Sequence, residues 1–188
     1  MGAGAWGTAL SNVAARAGLA VSLWTRDRAQ AQDLARTREN ARYLKDIPLE
    51  VAVAPTADLS CVSAADAVLL VVPAQAQRAT AAQVAPLLRK GAPLIVCAKG
   101  IERGTQAFMS EAVGAAAPHA PVAILSGPSF AHDVARGLPT AVTIAATDGA
   151  LAQDLAAGLG TANFRLYHTD DMRGVEIGGA AKNVLAIA

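Results

Sequence analysis

Apolar and polar positions change period repeatedly along this chain, and the changes divide it into short alternating segments. "TALSNVAARAGLA" (8–20) carries Leu10, Val13 and Ala14 at helical intervals and closes at Gly18, a usual residue just past a helix end. "AVSLW" (20–24) reads as a short buried strand, whereas "DRAQAQDLARTREN" (27–40) is polar and helix-favouring. "ADAVLLVVP" (65–73) is a continuous apolar run ended by Pro73, the pattern of a parallel strand covered on both faces. Further on the pattern predicts a helix over 78–90, a buried strand in "APLIVCAKG" (92–100) and a helix over 105–117. Strands in "APVAILSG" (120–127) and "LPTAVTIAA" (138–146), a helix in "GALAQDLAAGLG" (149–160) and a last strand ending near His168 follow. A long helical pattern then starts and is still apolar where the chain stops.

Alternation of strand and helix predicts an α/β fold: a Rossmann-like, doubly wound, mostly parallel sheet with ligands at the carboxyl ends of its strands. At its start stands "MGAGAWGTAL", a G-x-G-x-x-G fingerprint formed by Gly2, Gly4 and Gly7. In such a motif the first glycine allows a tight turn, the second lets the backbone approach a pyrophosphate, and the third lets the helix pack close to the sheet. The motif needs a strand leading into it, and only Met1 precedes it. Trp6, between the glycines, fills the core or touches the cofactor. The place where an NAD site carries an acid reads Trp24, Thr25, Arg26. A guanidinium there, with Arg28 nearby, accommodates the 2′-phosphate of NADP(H) better than a carboxylate would; the alternative is a solvated surface pair.

Composition narrows the partner. Apolar residues make up 53% but aromatics only 4%, as in α/β proteins with small residues between helix and sheet. A formal charge of +1 gives no footprint for nucleic acid or a membrane surface, so a small molecule is expected. No segment reaches the ~18 uninterrupted apolar residues of a membrane span. Cys61 and Cys97 are isolated, without the spacing of a disulfide framework or metal site, which fits a reducing, cytoplasmic setting.

Two lysines stand out. Lys99 follows the apolar run "LIVCA" and precedes Gly100, which puts it at the carboxyl end of a strand. Lys182 lies in "GVEIGGAAKNV", where Gly178 and Gly179 share its helix face and leave space above the backbone. It reaches a bound molecule there, or snorkels beside close-packed helices. "SGPSFAHD" (126–133) also follows a strand, but Ser129 lacks the G-x-S-x-G elbow and His132 is a lone histidine.

"GAGAWGTAL", "VVPAQAQR", "AKGIE", "LSGPSFAHDVARGLPTAV" and "GVEIGGAAKNVLAIA", in that order, resemble the NAD(P)-dependent glycerol-3-phosphate dehydrogenases of bacterial type. The resemblance implies reversible hydride transfer between NAD(P)H and dihydroxyacetone phosphate, giving sn-glycerol 3-phosphate for phospholipid synthesis. It implies that Lys182 is the catalytic acid/base and that Lys99 serves catalysis while contacting cofactor and substrate. Gly2, Gly4, Trp6, Gly7, Arg26 and Ala131 match cofactor contacts; Gly127 and Ser129 match substrate contacts, and Asn183 orients the substrate. A homodimer is left open. Residues 1–170 would then be the NAD(P)-binding domain and 171–188 the first helix of an all-α substrate domain. Family members carry an apolar strand before the first glycine, at the centre of a 3-2-1-4-5-6 sheet, and many have Pro-Gly where this chain has Lys45 and Asp46. A related hydroxy-acid dehydrogenase and a non-catalytic dinucleotide-binding module are the competing readings.

Overall fold

A computed structural model of the chain describes residues 1–185, with side chains through Lys182. Strand β1 (Val21–Trp24) pairs in parallel with β4 (Val53–Thr56), and a small hairpin joins β2 (Glu39–Asn40) to β3 (Leu44–Pro48). The larger sheet runs β5 (Val68–Leu70), β6 (Leu94–Val96), β7 (Val122–Ser126), β8 (Thr140–Ala146) and β9 (Phe164–Thr169). Helices α1 (Ala5–Arg16), α2 (Arg28–Thr37), α3 (Gln77–Val84), α4 (Met109–Ala116), α5 (Ala131–Ala135), α6 (Gly149–Leu159) and α7 (Met172–Leu185) fill the connections.

The two sheet pieces are joined through the first two residues. The Gly2 N–H donates to the Trp24 carbonyl at 2.9 Å, the Val71 N–H donates to the Met1 carbonyl at 2.9 Å, and the terminal amine donates to the Leu69 carbonyl at 2.9 Å. The order is therefore β4-β1-(Met1, Gly2)-β5-β6-β7-β8-β9, which matches the expected 3-2-1-4-5-6 pattern with two residues in the central place.

The central strands are covered on both faces, as the continuous apolar runs predict. Ile95 and Cys97 face a cluster with α1, α5 and α6, while Leu94 and Val96 face one with α3 and α4. Strand β8 departs from the parallel pattern: it runs antiparallel to β7, then pairs in parallel with β9. The apolar run 65–73 yields only a three-residue strand, because Pro73 and the short turn behind it carry the backbone away from the sheet. The helix expected over 78–90 passes into a 3-10 turn at Ala85–Leu87, around Pro86. The polar stretch 27–40 stops being helical at Thr37; Arg38 takes the left-handed conformation (φ 57°) and turns the chain into β2.

Helix α7 packs on β7 and β8. Its Glu176 carboxylate, 7% exposed, accepts the Ser110 N–H at 2.8 Å and the Ser110 hydroxyl at 2.7 Å, at the N-terminus of α4. A buried carboxylate is stabilised there by two donors and by the positive end of the helix dipole.

Candidate active site

The fingerprint loop is shaped by close backbone approach. Gly2 has φ +102°, and a Cβ on it would stand 2.5 Å from the Val71 carbonyl oxygen. A Cβ on Gly7 would stand 1.8 Å from the Gly2 carbonyl oxygen, so α1 comes onto the turn as closely as it does only because this residue has no side chain. Gly4 differs: it is the N-cap of α1, makes no side-chain cap, and has nothing within 4 Å on its Cβ side. The first-turn N–H groups of α1 and the positive end of its dipole lie beside Gly4, whose Cβ side is open.

Side chains from three elements hold this turn. The Ala3 carbonyl accepts from Gln30 at 2.9 Å and from Asn40 at 3.0 Å, and Asn40 also donates to the Thr8 hydroxyl at 2.7 Å. Asn40 is 2% exposed, and nothing in its polar stretch marked it as a support for the glycine loop. Trp24 keeps a buried indole N–H without a partner at the end of β1. Arg26 and Arg28 are exposed beside it, and the carboxylate of Asp27 is engaged as the cap of α2, accepting from Ala29 at 2.9 Å and Gln30 at 3.2 Å. The end of β1 therefore offers guanidinium groups beside an exposed carboxylate, one oxygen of which caps α2. Trp6 is half-buried and packs on the core beside α1, with part of its surface open.

A second concavity of about 510 Å³ lies where β6 and β7 end and α7 crosses them. Lys99, Gly127 and Lys182 line it together, joined by Ser126 and Thr143, which sequence reasoning missed. The antiparallel turn of β8 accounts for Thr143, because it sets that residue in register with Ser126 at the end of β7. Lys99 donates to the Gly127 carbonyl at 2.7 Å. Burial holds its pKa below the ordinary lysine range, and the neighbouring Lys182 ammonium lowers it further.

The two glycines of α7 divide their roles, contrary to the expectation that both leave space beside Lys182. Gly178 faces open space, whereas a Cβ on Gly179 would stand 2.7 Å from the Ser126 hydroxyl and 3.5 Å from Lys99 Cγ. Gly179 is thus what lets α7 press against the end of β7. Gly127 is also set by packing: a Cβ there would meet Val142 Cα at 2.9 Å. Ser129 is half-buried on the next turn and does not line the lysine cavity; Ala131 opens α5 and packs on the core beside α1. The side chain of Asn183 lies outside the described residues.

Residues 1–152 match the family described as the NAD-dependent glycerol-3-phosphate dehydrogenase N-terminus. The chain belongs to this family. It is 68% identical over 188 residues to the glycerol-3-phosphate dehydrogenase (NAD(P)+) of Azorhizobium caulinodans and 63% identical to that of a Bradyrhizobium strain. In both cases all of the chain is covered but only 57% of the relative, so it spans little more than half the length of these proteins. The crystal structure of glycerol-3-phosphate dehydrogenase from Coxiella burnetii superposes with a TM-score of 0.91 at 36% identity, over 99% of this chain and 57% of that one. The glycine turn and the lysine cavity both lie at the carboxyl edge of the parallel strands, where open α/β sheets bind ligands.

Proposed function

We propose that this chain is the dinucleotide-binding part of an enzyme that interconverts dihydroxyacetone phosphate and sn-glycerol 3-phosphate with NADPH or NADH. The observation that carries this reading is the pairing of Lys99 and Lys182 in one cavity on the same sheet edge as the glycine turn. Gly2, Gly4 and Gly7 would hold the pyrophosphate against α1, and the exposed guanidinium groups of Arg26 and Arg28 would favour the 2′-phosphate of NADPH. When bound, the nicotinamide supplies or accepts the hydride.

Lys182 does the proton work. As the ketone carbon is reduced, negative charge grows on its oxygen; the Lys182 ammonium stabilises that charge and donates a proton to it, and its neutral amine takes the proton back in the reverse direction. Lys99, fixed on the Gly127 carbonyl, keeps a second positive centre beside the substrate. Ser129, Ala131 and Asn183 complete this assignment as contacts of substrate, cofactor and substrate respectively. Residues 171–188 begin the helical substrate domain in this reading, and the two unpaired thiols fit the reducing cytoplasm.

The test is NADPH oxidation with dihydroxyacetone phosphate, using this chain and a longer one that carries the flanking segments of the Azorhizobium relative. The longer protein should turn over, and Lys182→Ala should lower its rate at least about 100-fold. If the longer protein folds and binds NADPH but leaves dihydroxyacetone phosphate unreduced, the assignment of substrate is wrong.

A further inference from the structure

The cavity holds two lysines, but only one of them is paired in the structure with an aromatic face. Phe130 is 71% exposed, the most exposed aromatic among the described residues. Core packing therefore does not explain why a phenyl ring stands at this position. It closes the Gly127–Pro128–Ser129 turn as the residue before α5, and Lys182 Nζ lies 5.2 Å from its ring centroid. Lys99 instead leans on the Gly127 carbonyl.

We propose that Phe130 is a positioning residue for Lys182: its ring face holds the ammonium over the cavity and favours its charged form, while Lys99 is held apart on the Gly127 carbonyl. The proposal rests on the reading of Lys182 as the acid/base. Two ammonium groups sharing one cavity disfavour each other, and their protons come off as a coupled pair. A ring quadrupole attracts only a charged amine, so it stabilises Lys182 in the state needed to donate a proton. Burial acts on Lys99 in the opposite sense. Other ionisable groups on the surrounding elements have their own partners or lie past the ring. On α7, Arg173 pairs with Glu111 and Glu176 is held by Ser110; β7 and β8 contribute Ser126 and Thr143, which do not titrate here; His132 and Asp133 follow Phe130 on α5.

Competitive acetylation with acetic anhydride between pH 7 and 11, read at each lysine by peptide mass spectrometry, measures both titrations in this chain without any turnover. Phe130→Leu should shift the Lys182 midpoint to lower pH, raise its reactivity at pH 9 about two- to fivefold, and move the Lys99 midpoint upward. Phe130→Tyr, which keeps the ring, should retain the wild-type order. Circular dichroism and thermal midpoints should match wild type in both variants, since the ring is mostly exposed. Unchanged midpoints in Phe130→Leu, or a Tyr variant that behaves like Leu, would overturn the proposal. The predicted shifts alongside a failed reductase assay would instead sink the functional reading, leaving the contact of ring and ammonium without its catalytic meaning.

Discussion

Adding one methyl group separates the structural glycine of the fingerprint from the one that admits a ligand. In Gly7→Ala the new Cβ would start 1.8 Å from the Gly2 carbonyl oxygen. An ordinary carbon–oxygen contact is about 3.3 Å, so one side must retreat by roughly 1.5 Å. Gly2 has no room to do so: its N–H is bonded to the Trp24 carbonyl, and its own Cβ direction is blocked 2.5 Å away by the Val71 carbonyl. Helix α1 is fixed in turn by Asn12 on the Pro48 carbonyl and by Arg16 on the Ala135 carbonyl. Overpacking of this kind costs about 1–3 kcal/mol or more, against which alanine returns at most about 1 kcal/mol of helix propensity. The expected net loss is about 2 kcal/mol in urea unfolding followed by the fluorescence of Trp6 and Trp24. Gly4→Ala adds its methyl to open space at a backbone conformation any residue adopts, and should change stability by less than about 1 kcal/mol. It should still weaken NADPH at least about tenfold in a fluorescence titration, because the methyl occupies the side from which the pyrophosphate approaches. A Gly7→Ala protein as stable as wild type, or a Gly4→Ala protein that binds NADPH normally, would refute this division.

Three further outcomes follow from particular contacts. Lys99 has a lowered pKa in the folded state, so between that value and the ordinary 10.5 the unfolded chain binds more protons and stability rises with pH; the urea midpoint should climb through that alkaline window, and less so in Lys99→Met. Glu176→Ala leaves the Ser110 N–H and hydroxyl without their carboxylate and should cost about 1–3 kcal/mol, with faster hydrogen exchange along α7; an unchanged exchange pattern would show that the helix is held some other way. Asp46 is exposed at φ 63°, so Asp46→Gly should be tolerated within about 0.5 kcal/mol while Asp46→Ile costs about 1–2 kcal/mol on thermal or urea unfolding, although no packing is lost.

Strand and helix order was legible because each central strand is covered on both faces, which forces an uninterrupted apolar run on any sequence that fills it. Strand direction is a different kind of information. The residues of β8 would suit either orientation, and its reversal comes from pairing with β7, which sets Thr143 beside Ser126 at the cavity. Hairpin β2–β3 was invisible because its first strand is two polar residues whose worth is tertiary: Asn40 reaches the Ala3 carbonyl and Thr8. The Lys45–Asp46 pair reads as loop variation until the left-handed backbone at Asp46 gives the family's glycine a reason.

The candidate site divides along the same line. The places of Gly2, Gly4, Gly7, Lys99 and Lys182 in the fold were legible, since turn geometry and a position at a strand end or on a helix face can be read locally. What the residues next to them do depends on the rotation of α7 over the sheet: Gly178 and Gly179 are identical in sequence terms, yet one faces open space and the other bears on Ser126 and Lys99. Glu176 fixes that rotation from the turn before, through Ser110 at the head of α4. The two lysines therefore meet through a chain of contacts that begins with a buried carboxylate away from the cavity. Loosening α7 at Glu176 should move Lys182 from Lys99 and so raise the lowered pKa of Lys99, even though neither lysine has been changed.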